Sequence, residues 1–231
     1  YDIGFLLAGL DVDAQPILHG VEGREELSRS YRFRLLLSRT EPFSTQELDA
    51  LLASPIAITL GLGDADMVMG CLDRIELLDH TRQTRARYVA ELVPTIDVLG
   101  LARSCRVFQD MSTVEIIRAV LEMYQLKADK DFQLRVHAAL PKREYVVQYQ
   151  ESDWTFLQRW MEHEGLFYWF EHGEGGDKLV IADENEDTTA IAAPTNIAYR
   201  ERNNLATDGR ATIWDWQLHQ RRVPARVAVL D

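Results

Sequence analysis

The segment Tyr145–Asp183, YVVQYQESDWTFLQRWMEHEGLFYWFEHGEGGDKLVIAD, constrains the fold of this chain more than any other. Ser152 precedes an apolar series at Trp154, Leu157 and Met161, the i, i+3, i+7 spacing of a buried helix face. Gly165 supplies the residue that best tolerates a left-handed helix stop. Leu166–Phe170 then reads as an aromatic strand, Gly173–Asp177 carries turn chemistry, and Lys178–Ala182 reads as the returning strand of a hairpin. Strand, helix and hairpin are therefore expected in succession.

The residues before this segment are strand-rich. Tyr31, Phe33, Leu35 and Leu37 alternate with Arg32, Arg34 and Ser38, and Ile56, Ile58, Leu60 and Leu62 alternate as cleanly. Period two marks strands with one buried face. Gly63–Asp66 predicts a loop, Met67–Leu78 a strand, Asp79–Thr84 a polar turn and Arg87–Val93 another strand, with one short helix near Thr45–Leu52. Short strands at this spacing suggest an antiparallel barrel or sandwich. From Leu99 the pattern changes. Ser112-Thr-Val-Glu115 is a capping box, and Val114, Ile117, Leu121 and Tyr124 form a helical stripe before the polar run Lys127–Asp131. Thr212–Leu218 predicts a strand with Trp214, Trp216 and Leu218 on one face. The fold expected is mainly β with α+β insertions: a first β-barrel-like domain over 1–98, a small α+β insertion over 99–143, and a second β-rich domain over 144–231.

Composition excludes several functions. The net charge of −12, from 37 acidic and 25 basic residues, argues against a nucleic-acid surface. Arg221–Arg222 is a lone basic pair and reads as a solvated strand end. No segment approaches the roughly 18 uninterrupted apolar residues of a membrane helix, and Tyr1–Leu10 lacks the basic start of a signal peptide. Cys71 and Cys105 are too few for a disulfide framework and read as buried, reduced thiols, which places synthesis in a reducing cytoplasm. Both termini read as cut from a longer chain.

Catalytic motifs are absent. There is no GxSxG, P-loop or CxxC pair, and His163-Glu164 lacks the second histidine of a zincin. Asp183–Asp187 starts like a calcium loop but fails at its sixth position, Thr188, and its twelfth, Pro194. Asp64-Ala-Asp66 reads as a turn. The histidines at 19, 80, 137, 163, 172 and 219 are scattered; His163 and His172 flank the aromatic strand and could form a weak metal or acid–base pair, but surface histidines are the simpler reading. Glu151 with Asp153, and Glu162 with Glu164, are two apart and point to different helix faces, while Asp153 favours the helix dipole. Trp154 and Trp160 do not share a helical stripe, so they make a poor sugar platform. No catalytic, cofactor-binding or metal-binding residue is assigned, no cofactor is expected, and the chain reads as non-enzymatic. The alternative of another class is a carbohydrate-binding or carbohydrate-acting β module.

Gln148, Glu151, Ser152, Asp153, Phe156, Leu157, Arg159, Glu162, Glu164 and Gly165 fall, in order, on the pattern QxxESDxxFLxRxxExEG. This resembles VgrG proteins, the spike components of type VI secretion systems. Further stretches are similar to the same family. Leu18–Arg39 carries Glu26, Leu27, Ser28, Tyr31, Phe33 and Leu35. Gly70–Leu121 has a strand hairpin ending at Pro94, a turn at Arg106–Gln109 and then the capped helix. The last is the final WDWQLHQRRVPARVAVLD. The resemblance implies two antiparallel β-barrel-like domains of the phage tail hub type and a homotrimer docked on the hexameric Hcp tube. It implies a PAAR tip protein and effectors reached through segments beyond this chain, and a role in puncturing target membranes without stable insertion. It also implies a bacterial cytoplasmic protein that is then secreted or injected. The hub of a contractile bacteriophage tail is the close alternative. Contact residues for trimer and tube are not assigned. Three copies carry about −36 charges, so assembly is expected to tighten as salt screens them.

Overall fold

The computed structural model describes residues 4–7, 15–59, 67–79, 85–173, 175–188, 198–199, 212–213, 215–218 and 220. Asp64-Ala-Asp66, Leu60, Leu62, residues 80–84, Trp214 and Arg221–Arg222 lie outside these, so the readings made there have no counterpart below.

Alternation dictates the first sheet. Its strands are β1 (Gly4–Leu7), β2 (Ile17–Arg24), β3 (Arg32–Arg39), β4 (Pro55–Thr59), β5 (Met67–Asp79) and β6 (Ala86–Val93), all paired antiparallel in the order β1-β4-β5-β6-β3-β2. Phe33, Leu35 and Leu37 of β3 and Ile56 and Ile58 of β4 are buried, as their spacing predicts, and they meet Leu72, Tyr88, Ala90 and Leu92 in one core. The edge strands β1 and β2 approach each other, so the sheet curls into a half-barrel. Gly70 lets β5 pass close to the end of β6: a Cβ there would stand 2.7 Å from the Tyr31 hydroxyl and press on the Val93 carbonyl. Helix α1 (Thr45–Ala53) carries its own capping box, Ser44 with Glu47, and buries Leu51 beneath the sheet.

The following region is built around helices. A 3-10 turn (Thr95–Gly100) leads into β7 (Arg103–Met111), then α2 (Thr113–Met123), β8 (Phe132–Arg135), β9 (Arg143–Ser152), α3 (Asp153–Glu164), β10 (Phe167–Gly173) and β11 (Gly176–Ala182). Strands β7 and β9 form an antiparallel two-stranded ribbon; β10, β11 and β8 form a three-stranded sheet. Their common core holds Ile116, Ile117, Val120 and Leu121 of α2, Trp154, Phe156, Leu157 and Met161 of α3, and Phe108, Phe132, Tyr168 and Ile181 from the strands. Ser152 caps α3 by accepting from the Thr155 amide, and Gly165 closes it at φ 74°, as expected.

Several expectations are corrected. Strand β11 runs parallel to β8, so pairing is not purely antiparallel: β9, α3 and β10 intervene, a crossover long enough to bring the chain back in the same direction. Arg106–Gln109 is strand, not turn, because it pairs residue for residue with Tyr145–Gln148. The buried stripe of α2 runs through Thr113, Ile116, Ile117, Val120 and Leu121, leaving Val114 and Tyr124 half-buried, because the helix beds a broader face than one narrow row. Neither cysteine is buried: Cys105 is exposed and Cys71 half-buried, with partial burial pushing the Cys71 thiol up to about 11.

Residues Tyr1–Thr188 form one unit and Thr189–Asp231 another. In the second unit, among the described residues of the strand expected over Thr212–Leu218, Thr212–Ile213 are strand, paired parallel with Ala198–Tyr199, while residues 215–218 are not and Trp216 and Leu218 are exposed. No helix among the described residues is long and apolar enough to cross a membrane.

Candidate functional site

The acids of the two helix pairs, Glu151 with Asp153 and Glu162 with Glu164, either have work in the fold or lie apart from their neighbours. Asp153 opens α3, and its side chain is 0% exposed. It accepts from Arg106 Nη1 of β7 at 2.8 Å, from the Tyr124 hydroxyl beyond α2 at 2.7 Å and from Gln148 Nε2 of β9 at 2.7 Å. Burial pushes this carboxyl up, but the hydrogen bonds from Gln148, Tyr124 and Arg106 outweigh it and hold the group below the usual carboxylate range. The helix dipole assigned from sequence is thus a minor part of its role: Asp153 ties α2, α3 and the ribbon together. Glu164, in the last turn of α3, accepts from Thr113 Oγ1 at 2.9 Å and Arg143 Nη2 at 2.8 Å, and burial is again outweighed. Glu151 pairs with Arg159, and Glu162 is exposed. These contacts separate the acids, and a carboxylate saturated by donors is a poor base.

The two histidines do not meet. His163 lies edge-on to Trp160 at 5.2 Å. His172 instead joins the two cores: Nδ1 accepts from the Met69 amide of β5 at 3.2 Å, its ring meets Tyr31 at 5.1 Å, and Nε2 lies 3.5 Å from Glu25. Phe170 packs against both cores, and Asp177 accepts from Thr95. The two indoles of α3, Trp154 and Trp160, are equally occupied. Trp154 is buried against Tyr168, and Trp160 lies beneath Arg143 and Arg159 at 4.8 and 5.6 Å. These arrangements leave neither indole free to stack on a sugar.

What remains available is a face. On one side of the ribbon Phe108, Val146 and Gln148 are buried. On the other, Val107 opposes Val147 and Gln109 opposes Tyr145, with Tyr149 and Cys105 beside them. Tyr145, Val147 and Tyr149 are 64%, 44% and 70% exposed and Val107 is 60% exposed, so apolar side chains face water where strand alternation would place polar ones. None of these six is charged. Sequence reasoning missed this face, although YVVQY was its signal: both sides of the strand are apolar or uncharged, and only one can face the core.

The chain is similar to spike proteins of type VI secretion systems. It is 30% identical to VgrG1a of Pseudomonas aeruginosa over 224 residues, covering 93% of this chain and 33% of the relative. With VgrG5 of the same organism it shares 36% over 187 residues, or 80% of this chain and 23% of the relative. The chain therefore spans about a third or less of these relatives. Among solved structures, it superposes with a TM-score of 0.70 and 23% identity on the E. coli c3393 protein, covering 81% of this chain and 51% of that one. The c3393 protein is described as a component of the type VI secretion system structurally similar to the T4 bacteriophage tail proteins gp27 and gp5. A tail protein of Neisseria meningitidis shares the fold at a TM-score of 0.51 and 13% identity, covering 80% of this chain and 50% of its own. Residues 24–231 match the family of phage tail baseplate hub (GPD) proteins, and the chain belongs to that family.

Proposed function

We propose that this chain is the hub part of a type VI secretion spike, a mechanical and non-enzymatic element that works as a homotrimer. It docks on the Hcp tube and helps carry effectors through a punctured membrane. Two barrel-like domains per chain, the half-barrel of β1–β6 and a second built from 144–231 with further residues, would match a threefold hub to a sixfold tube. A PAAR tip and effectors would be held by later segments. The protein would be made in the bacterial cytoplasm and then injected. Similarity to the VgrG spike proteins favours this over a phage tail hub.

The observation that carries the reading is the uncharged ribbon face. In a chain of −12, an identical copy is approached with least repulsion through a surface bearing no charge, and contacts between like subunits are the more apolar class of interface. The face is therefore assigned to a second copy of the chain. Native mass spectrometry of the protein from its intact gene should show a trimer that Tyr145→Ser with Tyr149→Ser reduces to monomer, the melting temperature being unchanged within a few degrees. The trimer should also strengthen with added salt. A wild-type monomer overturns the hub reading; a trimer indifferent to the double substitution overturns the face.

A further inference from the structure

The parallel strands β8 and β11 end side by side, Ala182 opposite Arg135, so the residues leaving each strand emerge together. The Asp183 carboxylate accepts from the backbone amides of His137, at 3.0 and 3.1 Å, and of Ala138 at 2.7 Å, which pins the loop after β8 to the end of β11. A 3-10 turn at Asn185–Asp187 then folds back, leaving the Asp187 carboxylate oxygens 3.0 and 3.2 Å from His137 Nε2. One donor atom from each of His137, Asp183 and Asp187 lies within 4.8 Å of the others. The neighbouring cation, Arg135, is directed to Glu171 and to the Asp187 backbone carbonyl rather than to either carboxylate of the trio.

We infer that His137, Asp183 and Asp187 form a site for a divalent transition-metal ion, with Zn2+ the best-fitting probe. A carboxylate offers about four acceptor positions, and three amides, those of His137, Ala138 and Asp183 itself, leave Asp183 one of them. Zn2+ bound about 2.0–2.2 Å from nitrogen and oxygen donors needs them roughly 3.3 Å apart; His137 and Asp187 are already near that at 3.0–3.2 Å, and Asp183, within 4.8 Å of both, closes on them by at most about 1.5 Å. The donor set selects the ion. Calcium wants about six to eight oxygens and magnesium near-octahedral oxygen geometry, whereas an imidazole with two carboxylates suits zinc or nickel, and half-exposed His137 leaves room for water as a further ligand. The calcium reading of 183–187 fails because its loop lacks ligands; the structure replaces it with a site whose decisive ligand comes from 46 residues earlier. The inference stands independently of the hub reading.

The test is isothermal titration of zinc sulfate into the EDTA-treated full-length protein, paired with thermal melting. One Zn2+ per chain should bind and raise the melting temperature, and calcium at the same concentration should do neither. His137→Gln and Asp187→Asn should each weaken zinc at least tenfold while melting like the wild-type apoprotein. No zinc-dependent shift in the wild type, or unchanged affinity in His137→Gln, overturns the site. His137 is exposed, so that variant decides the matter if Asp187→Asn folds poorly.

Discussion

The half-barrel of β1–β6 and the helical region of α2, α3 and β7–β11 solve the burial problem differently. The first places apolar side chains inside and keeps its ion pairs at the surface. Arg32 and Arg74 bridge Glu91 across the outer surface, where both arginines are more than half exposed. The second buries a carboxylate, Asp153, and surrounds it with donors from three elements. Exposed ion pairs contribute little, because water screens them and two long side chains must be immobilised. A buried ion costs several kcal/mol to desolvate, and once paired it becomes intolerant of losing a partner. The half-barrel therefore depends on shape and the helical region on polar connectivity.

The largest expected effect sharpens that contrast. Asp153→Ala strands Arg106, Tyr124 and Gln148 and should cost about 3–5 kcal/mol in chemical denaturation at pH 7. Because the folded Asp153 carboxyl lies below its unfolded value of about 3.9, its stabilisation is present above that pH and lost as pH falls through the folded value. The gap between wild type and variant should therefore shrink below about pH 4. A penalty that stays constant down to pH 3 would remove the ionised carboxylate from the account.

Next comes shape. Gly70→Ala forces a methyl against the Val93 backbone and should cost about 1–3 kcal/mol, whereas Gly20→Ala meets open space and should change stability by about 0.5 kcal/mol or less. Equal melting temperatures for the two variants would refute the close approach of β5 and β6. The smallest effect belongs to the outer charges: Glu91→Gln should cost about 1 kcal/mol or less, declining further in 1 M salt. A loss comparable to that of Asp153→Ala would erase the distinction between the two regions.

Much of this molecule is legible one residue at a time. The caps at Ser44, Ser112 and Ser152, the left-handed stop at Gly165 and the alternation of β3 and β4 follow from interactions spanning at most a few residues, where spacing alone fixes geometry. The hub resemblance was legible for the same reason, since it rests on an ordered string of such local patterns. Arg106–Gln109 was misread because a short apolar run beside a capped helix carries no local mark of its partner strand.

Tertiary structure alone decided which side chains met. Arg106 and Asp153 are 47 residues apart, and His137 and Asp187 are 50 apart, distances over which periodicity says nothing about contact. Tyr145, Val147 and Tyr149 read as ordinary strand residues until α2 and α3 claimed the opposite side of the ribbon and left them in water. The local code specified the elements of this chain; the competition among apolar faces for one interior determined which faces remained outside.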